Sequence, residues 1–132
     1  MSAKIDHIGI AVKSLEQAIP KYRALMQKEP DHIEEVKGQA VKVAMFRAGD
    51  SSIELLEATT PESPIARYIE KHGEGIHHIC LAVENIDTAL QEAVEAGLEI
   101  IPQKDDRGAG GHRIAFLHPK STGGVLIELV EK

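Results

Sequence analysis

Four residues of this chain could together hold a divalent cation: His7, Glu54, His78 and Glu128. Each histidine opens an apolar run, "HIGIAV" or "HICLAV", and each glutamate stands between isoleucine and leucine in "IELLE" or "IELVE". Successive side chains of a strand point to opposite faces, so counting by twos separates what each face carries. From His7 the count reaches Gly9 and Ala11, and from His78 it reaches Cys80 and Ala82, all small. The other face carries Ile8, Ile10 and Val12, and Ile79, Leu81 and Val83. Small residues beside a histidine leave room for a ligand, while the bulky face suits packing under helices. By the same alternation Glu54 and Glu128 face away from their apolar neighbours, into the space beside the histidines. A carboxylate there is costly unless it is paired, protonated or bound to a metal. Imidazole and carboxylate donors without thiolate suit Co, Ni, Mn, Fe or Zn, and four of them leave two octahedral positions for substrate or water. The alternation puts His77 on the helix-packing side or at its rim, in a structural place. His32, His72, His112 and His118 read as surface or loop residues.

The four candidates are tied together by an internal repeat. "HIGIAVKSLEQAI" from His7 overlays "HICLAVENIDTAL" from His78, and the same offset carries "KVAMF" onto "RIAFL". With three further residues, "SIELLE" falls on "LIELVE". Packing alone does not require a His and a Glu to be duplicated together, so the recurrence favours a shared site. Each copy reads as a strand, a helix, then two or three strands. Ser14, with Gln17 three residues on, opens the first helix as a capping box; Asn85 opens the second, which ends at Gly97. Between the copies "TTPESPIARYIEKHGEG" reads as a linking helix with Ser63 as N-cap, Pro64 at its first position and Gly73 at its end. Pro20 lies inside the first helix, so a kink or irregular turn is expected near Lys21. The expected architecture is α+β: two tandem βαβββ modules forming a curved mixed sheet around a metal-binding cleft. Module boundaries fall at about 4–58 and 75–131, with the linking helix at about 62–73, all in one domain spanning 1–132.

Composition narrows the function classes. A chain of 132 residues builds one domain with a real core. The net charge of −6 is spread without a basic stripe, so neither nucleic acid nor an anionic membrane is an expected partner. A single cysteine, Cys80, excludes an internal disulfide, and the opening "MSAKIDHIGIAV" lacks the apolar run and cleavage site of a signal peptide. No segment approaches the roughly 20 apolar residues of a bilayer span. A cytoplasmic location is expected.

The paired units and their His/Glu set resemble the vicinal oxygen chelate superfamily, and over essentially the whole chain the methylmalonyl-CoA epimerases within it. The resemblance rests on "IDHIGIAV", on "IELLEATTPESPIARYIEKHGEGIHHICLAVENID" and on "GAGGHRIAFLHPKSTGGVLIELVE". It implies metal ligation by His7, Glu54, His78 and Glu128, cobalt as the first choice with manganese, nickel or zinc as alternatives, a methylmalonyl-CoA substrate, a role in propionate metabolism and a homodimer. One departure bears on mechanism. Some members have glutamine in place of Glu54 and a catalytic glutamate where this chain has Val43, so the carboxylate has moved. Glu128 is expected as one base and Glu54 as the other. Coenzyme A would be held by the turn "GAGG", through Gly110 and Gly111, and by Lys120 in "HPKST", with Arg107 and Arg113 of similar standing. Glyoxalase I uses a related ligand set; "HPKST" in the last hairpin and the linking helix favour the epimerase. A ring-cleaving dioxygenase would have three ligands rather than four, and a drug-sequestering relative would have none.

Overall fold

The computed structural model describes residues 2–132. Strand β1 (Lys4–Ala11) leads to helix α1 (Leu15–Met26), then β2 (His32–Val36), β3 (Val41–Ala48) and β4 (Ser51–Ala58). Helix α2 (Pro64–His72) links to β5 (Gly75–Val83), α3 (Ile86–Glu95), β6 (Ile100–Ile101), β7 (Ile114–Leu117) and β8 (Ile127–Glu131). All eight strands join one mixed sheet in the order β2-β3-β4-β1-β5-β8-β7-β6. The two βαβββ units meet where β1 pairs antiparallel with β5, and each unit repeats one parallel pairing, β1 with β4 and β5 with β8. The short strand β2, "HIEEV", carries charges at alternate and adjacent places and gives almost no periodic signal; it forms because "AVKVAMF" of β3 offers a ladder partner.

Alternation along the strands builds two packed layers. On the outer face Ala44, Phe46 and Leu55 lie under Leu15 and Ala18 of α1, and Ala115, Leu117 and Leu129 lie under Ile86 of α3. On the inner face Val43 and Leu56 pack with Ile65 of α2, and Ile114 and Val130 with Cys80. The helix starts are fixed as their capping residues suggest: Ser14 Oγ accepts from Gln17 N–H at 3.3 Å, Asn85 Oδ1 from Thr88 N–H at 3.0 Å and Ser63 Oγ from Ile65 N–H at 3.2 Å. A second cap repeats across the halves. Glu57 at the end of β4 accepts from Leu15 N–H at 2.6 Å, and Glu131 at the end of β8 accepts from Ile86 N–H at 3.0 Å. Glu54 and Glu57 are an odd number of residues apart, so one faces the interior while the other stabilises a helix N-terminus.

No irregular turn interrupts α1 at Lys21, contrary to the sequence expectation: residues 15–26 form one continuous helix with Pro20 inside. The proline leaves only the Glu16 carbonyl without its N–H, and both residues are exposed, so water meets that carbonyl.

Candidate metal centre and cavity

The inner face of the sheet, α2 and the segment 101–112 enclose a cavity of about 860 Å³, within the range that takes a small organic ligand. Much of its wall is apolar, including Val43, Met45, Leu56, Ile114 and Phe116. His7, Glu54, His78 and Glu128 all reach this wall, and all four are buried. Strand order brings them together. Gly9 is flanked by Glu54 on one side and His78 on the other, and Cys80 is flanked by His7 and Glu128. A Cβ on Gly9 would stand 2.3 Å from Cε1 of His78, so the missing side chain beside that histidine is a space requirement.

Three donors converge on one point. Nε2 of His7 and Nε2 of His78 are 3.1 Å apart, and Oε1 of Glu128 lies 3.3 Å and 2.8 Å from them. Such edge lengths fit donors placed about 2.1 Å from a common centre. No ring nitrogen or carboxylate pair gains by crowding this closely without a cation or a shared proton, so the donor set fits a divalent ion. Glu54 stands apart from this trio: its Oε2 is 3.2 Å from Nδ1 of His7, on the other edge of the ring.

The charges are strongly coupled. Burial disfavours a charged His7, but its hydrogen bonds to Asp6, Cys80 and Glu128 and the charge of Glu54 outweigh burial and push it up to about 12. Burial also opposes ionisation of Glu128, yet hydrogen bonds from His7 and His78 hold its carboxyl down to about 2. Glu54 moves the other way. Burial raises it, the charge of Glu128 adds to that, and His7 only partly offsets the two. Two carboxylates with opposed environments form the pattern expected of an acid and a base sharing one site.

Two residues beside the cluster escaped the sequence reading. His77 is not confined to the helix-packing side: it lines the cavity, and its Nδ1 is 2.9 Å from Nδ1 of His78. Asp6 also lines it, with Oδ2 2.7 Å from Nδ1 of His7 and Oδ1 accepting from Lys132 Nζ at 2.8 Å. The His7 hydrogen bond, reinforced by Lys132, holds Asp6 down to about 2 despite its burial. Burial, then the neighbouring His78, brings His77 down to about 4. The one trace of either in the sequence is that Asp6 and His77 occupy equivalent places in the repeat. His32 and His112, read as surface or loop residues, are exposed and also line the cavity. His32 pairs with Glu34 at 2.9 Å, and Glu34 in turn accepts from Gly110 N–H at 3.1 Å, tying the segment 108–111 to β2.

Of the residues expected to hold coenzyme A, Gly110 lies on the cavity wall, while Lys120, Gly111, Arg107 and Arg113 do not. Lys120 is not on the cavity wall; its Nζ faces Glu99 at 3.7 Å. The Gly110 amide is held by Glu34, and the Gly111 amide donates to the Gly108 carbonyl at 3.0 Å. Arg113 is bidentate to Asp87, and Arg107 donates to the Gly111 carbonyl. Gly110 keeps its place on the cavity wall with its amide engaged by β2, whereas Gly111 is tied within its own turn.

The family model for the glyoxalase/bleomycin resistance protein/dioxygenase superfamily matches residues 6–116, and the chain belongs to that superfamily. It is 38% identical over 138 aligned positions to the ethylmalonyl-CoA/methylmalonyl-CoA epimerase of Cereibacter sphaeroides, covering 98% of each chain. Among solved structures, a variant of the Streptomyces coelicolor methylmalonyl-CoA epimerase in complex with 2-nitronate-propionyl-CoA superposes with a TM-score of 0.90 at 36% identity, over 100% of this chain and 96% of that one. The hypothetical protein BH1468 of Bacillus halodurans superposes at 0.94 with 45% identity, over 100% and 96%.

Proposed function

We propose that this chain is an isomerase interconverting (2R)- and (2S)-methylmalonyl-CoA, by taking the proton from the carbon between thioester and carboxylate on one face and returning it on the other. The observation that carries this reading is the convergence of His7, His78 and Glu128 on one point of a cavity wall that also carries the buried Glu54. His7, His78 and Glu128 would hold a divalent ion, with Glu54 as a weak or reversible fourth ligand. When bound, the ion supplies Lewis-acid stabilisation of the negative charge that develops on the thioester oxygen, and cobalt is the first choice over manganese, nickel or zinc.

The chain's own groups move the proton. A carboxylate near its ordinary pKa is a weak base for a carbon acid, and each unit of mismatch costs about 1.4 kcal/mol. Glu128, kept ionised by the two histidines, accepts the proton from one face. Glu54, whose buried carboxyl favours the protonated form, returns one to the other face; in the reverse direction the roles exchange. The repeat supports the pairing, because β4 and β8 are equivalent strands on either side of the β1–β5 centre. Val43 offers no carboxylate. The apolar wall around the cluster excludes water and strengthens every charge interaction within it.

With Lys120 off the wall, the cations on it, Arg67 and Lys104 among them, are the better candidates to meet the coenzyme A phosphates. We assign a cytoplasmic location and a homodimer, the latter from the partly exposed Ile8, Ile10, Ile76 and Ile79, which pair with one another on the outer face of the central strands. No helix among the described residues is long and apolar enough to cross a membrane. The test is to supply the purified, Co²⁺-loaded protein with (2R)-methylmalonyl-CoA and, separately, with the glutathione hemithioacetal of methylglyoxal. Appearance of the (2S) isomer supports the epimerase. Lactoylglutathione alone would assign the same site to glyoxalase chemistry.

A further inference from the structure

Asp6 and His77 each precede a cavity histidine, and each is the residue left over where the β1–β5 ladder changes register. Ile5 pairs with Leu81 and His7 with Cys80, which leaves Asp6 over; Gly9 pairs with His78 and Ile10 with Ile76, which leaves His77 over. In a regular strand, neighbours point to opposite faces and cannot share a site. A bulge breaks that alternation and re-aims a side chain. Here it turns both residues onto the histidine that follows. Both shifts are pinned in the same way: Ser51 Oγ donates to the Ile5 carbonyl at 2.8 Å, and Tyr68 Oη donates to the Ile76 carbonyl at 2.6 Å. Tyr68 also sets its ring edge-on to His77, with centroids 5.0 Å apart.

We propose that Asp6 and His77 are positioning residues for the two histidine donors, each setting its neighbour's tautomer so that Nε2 offers its lone pair to a divalent cation. A carboxylate only accepts, so the 2.7 Å contact to Asp6 requires the hydrogen of His7 to be on Nδ1. Between His77 and His78, one Nδ1 must donate and the other accept. With His77 as acceptor, His78 carries its hydrogen on Nδ1 and leaves Nε2 bare. The opposite assignment would put a hydrogen on His78 Nε2, in the 3.1 Å gap facing His7 where the cation belongs. The two halves thus reach one result with different groups, an anion behind His7 and a neutral ring behind His78. A ligand histidine whose other nitrogen is tied down in this way binds metal more tightly, and loss of such a partner typically weakens affinity about 10- to 100-fold.

This inference rests on the metal-centre reading, and one titration separates them. EDTA-stripped wild type, His77→Phe, His77→Asn, Asp6→Ala and Asp6→Asn are titrated with CoCl₂, following the cobalt d–d absorption and the dissociation constant, with the melting temperature of each apo protein recorded beside it. His77→Phe keeps a ring against Tyr68 but accepts nothing, so its cobalt affinity should fall about 10- to 100-fold while the apo melting temperature stays near wild type. His77→Asn puts an amide oxygen close to the place of Nδ1 and should recover most of the loss. Asp6→Ala should weaken cobalt binding in the same range, and Asp6→Asn less; should Asp6→Ala fail to fold, Asp6→Asn and the His77 pair decide the matter. Wild-type affinity in His77→Phe, or equal loss in His77→Phe and His77→Asn, would overturn the positioning role while leaving the metal centre in place. A wild type that binds no cobalt would overturn the metal centre, and this inference with it.

Discussion

Gly9 stands where any side chain would enter the ring of His78. Gly9→Ala should therefore displace that ring, and cobalt affinity measured by competition with a chelator should drop at least tenfold, since one of the donors is lost. The substitution Glu54→Gln separates ligand from base. It should leave cobalt bound by the other three side chains while suppressing proton exchange at one face of the substrate; a variant with full epimerisation would remove Glu54 from the mechanism. His7 carries a proton in the apo site near neutral pH, because the carboxylates around it raise its pKa. The ion must displace that proton. Cobalt affinity should accordingly fall as pH falls, with release of about one proton per ion bound, read by calorimetry in two buffers of different ionisation enthalpy. The four cavity-wall candidates were legible in the sequence because they recur together at the repeat offset; that Glu54 would stand apart from the other three was not. Asp6 and His77 were not, since a bulge depends on how two strands are paired and leaves no mark on either strand alone.

At the level of elements, the helix starts follow from short-range chemistry. Ser14, Ser63 and Asn85 cap where their types suggest, and Gly97 closes α3 with a positive φ of 92°. The second caps could not be read, because the link from Glu57 to Leu15 and from Glu131 to Ile86 spans more than 40 residues. Truncating either cap, as Glu57→Ala or Glu131→Ala, should destabilise the protein by about 1 kcal/mol in chemical denaturation and leave cobalt affinity unchanged, because both carboxylates lie on the sheet face away from the cavity. Pro20 was expected to give a kink or irregular turn near Lys21, but the helix runs on through it with the proline on the solvent side. Strand β2 was legible only as a possible extra strand, since its pattern is overruled by the partner it finds in β3.

For the molecule as a whole, duplication explains why a chain with few aromatic residues builds a large cavity. Two copies of one curved unit, joined edge to edge at β1 and β5, leave their inner faces opposed, and one histidine and one glutamate from each meet at the seam. The repeat made this architecture predictable; the tie between Glu34 of β2 and the loop around Gly110 was not, because it joins residues 76 positions apart. The apolar patch on the outer face should give a homodimer, so light scattering should return twice the 14.4 kDa chain mass. The epimerase chemistry is tested most directly by proton NMR of the Co²⁺-loaded protein in D₂O with methylmalonyl-CoA of one configuration. Metal-assisted proton transfer predicts deuterium entering at C2 as the configuration scrambles, with both processes stopped by EDTA. Scrambling without deuterium entry, or exchange that persists in EDTA, would contradict it.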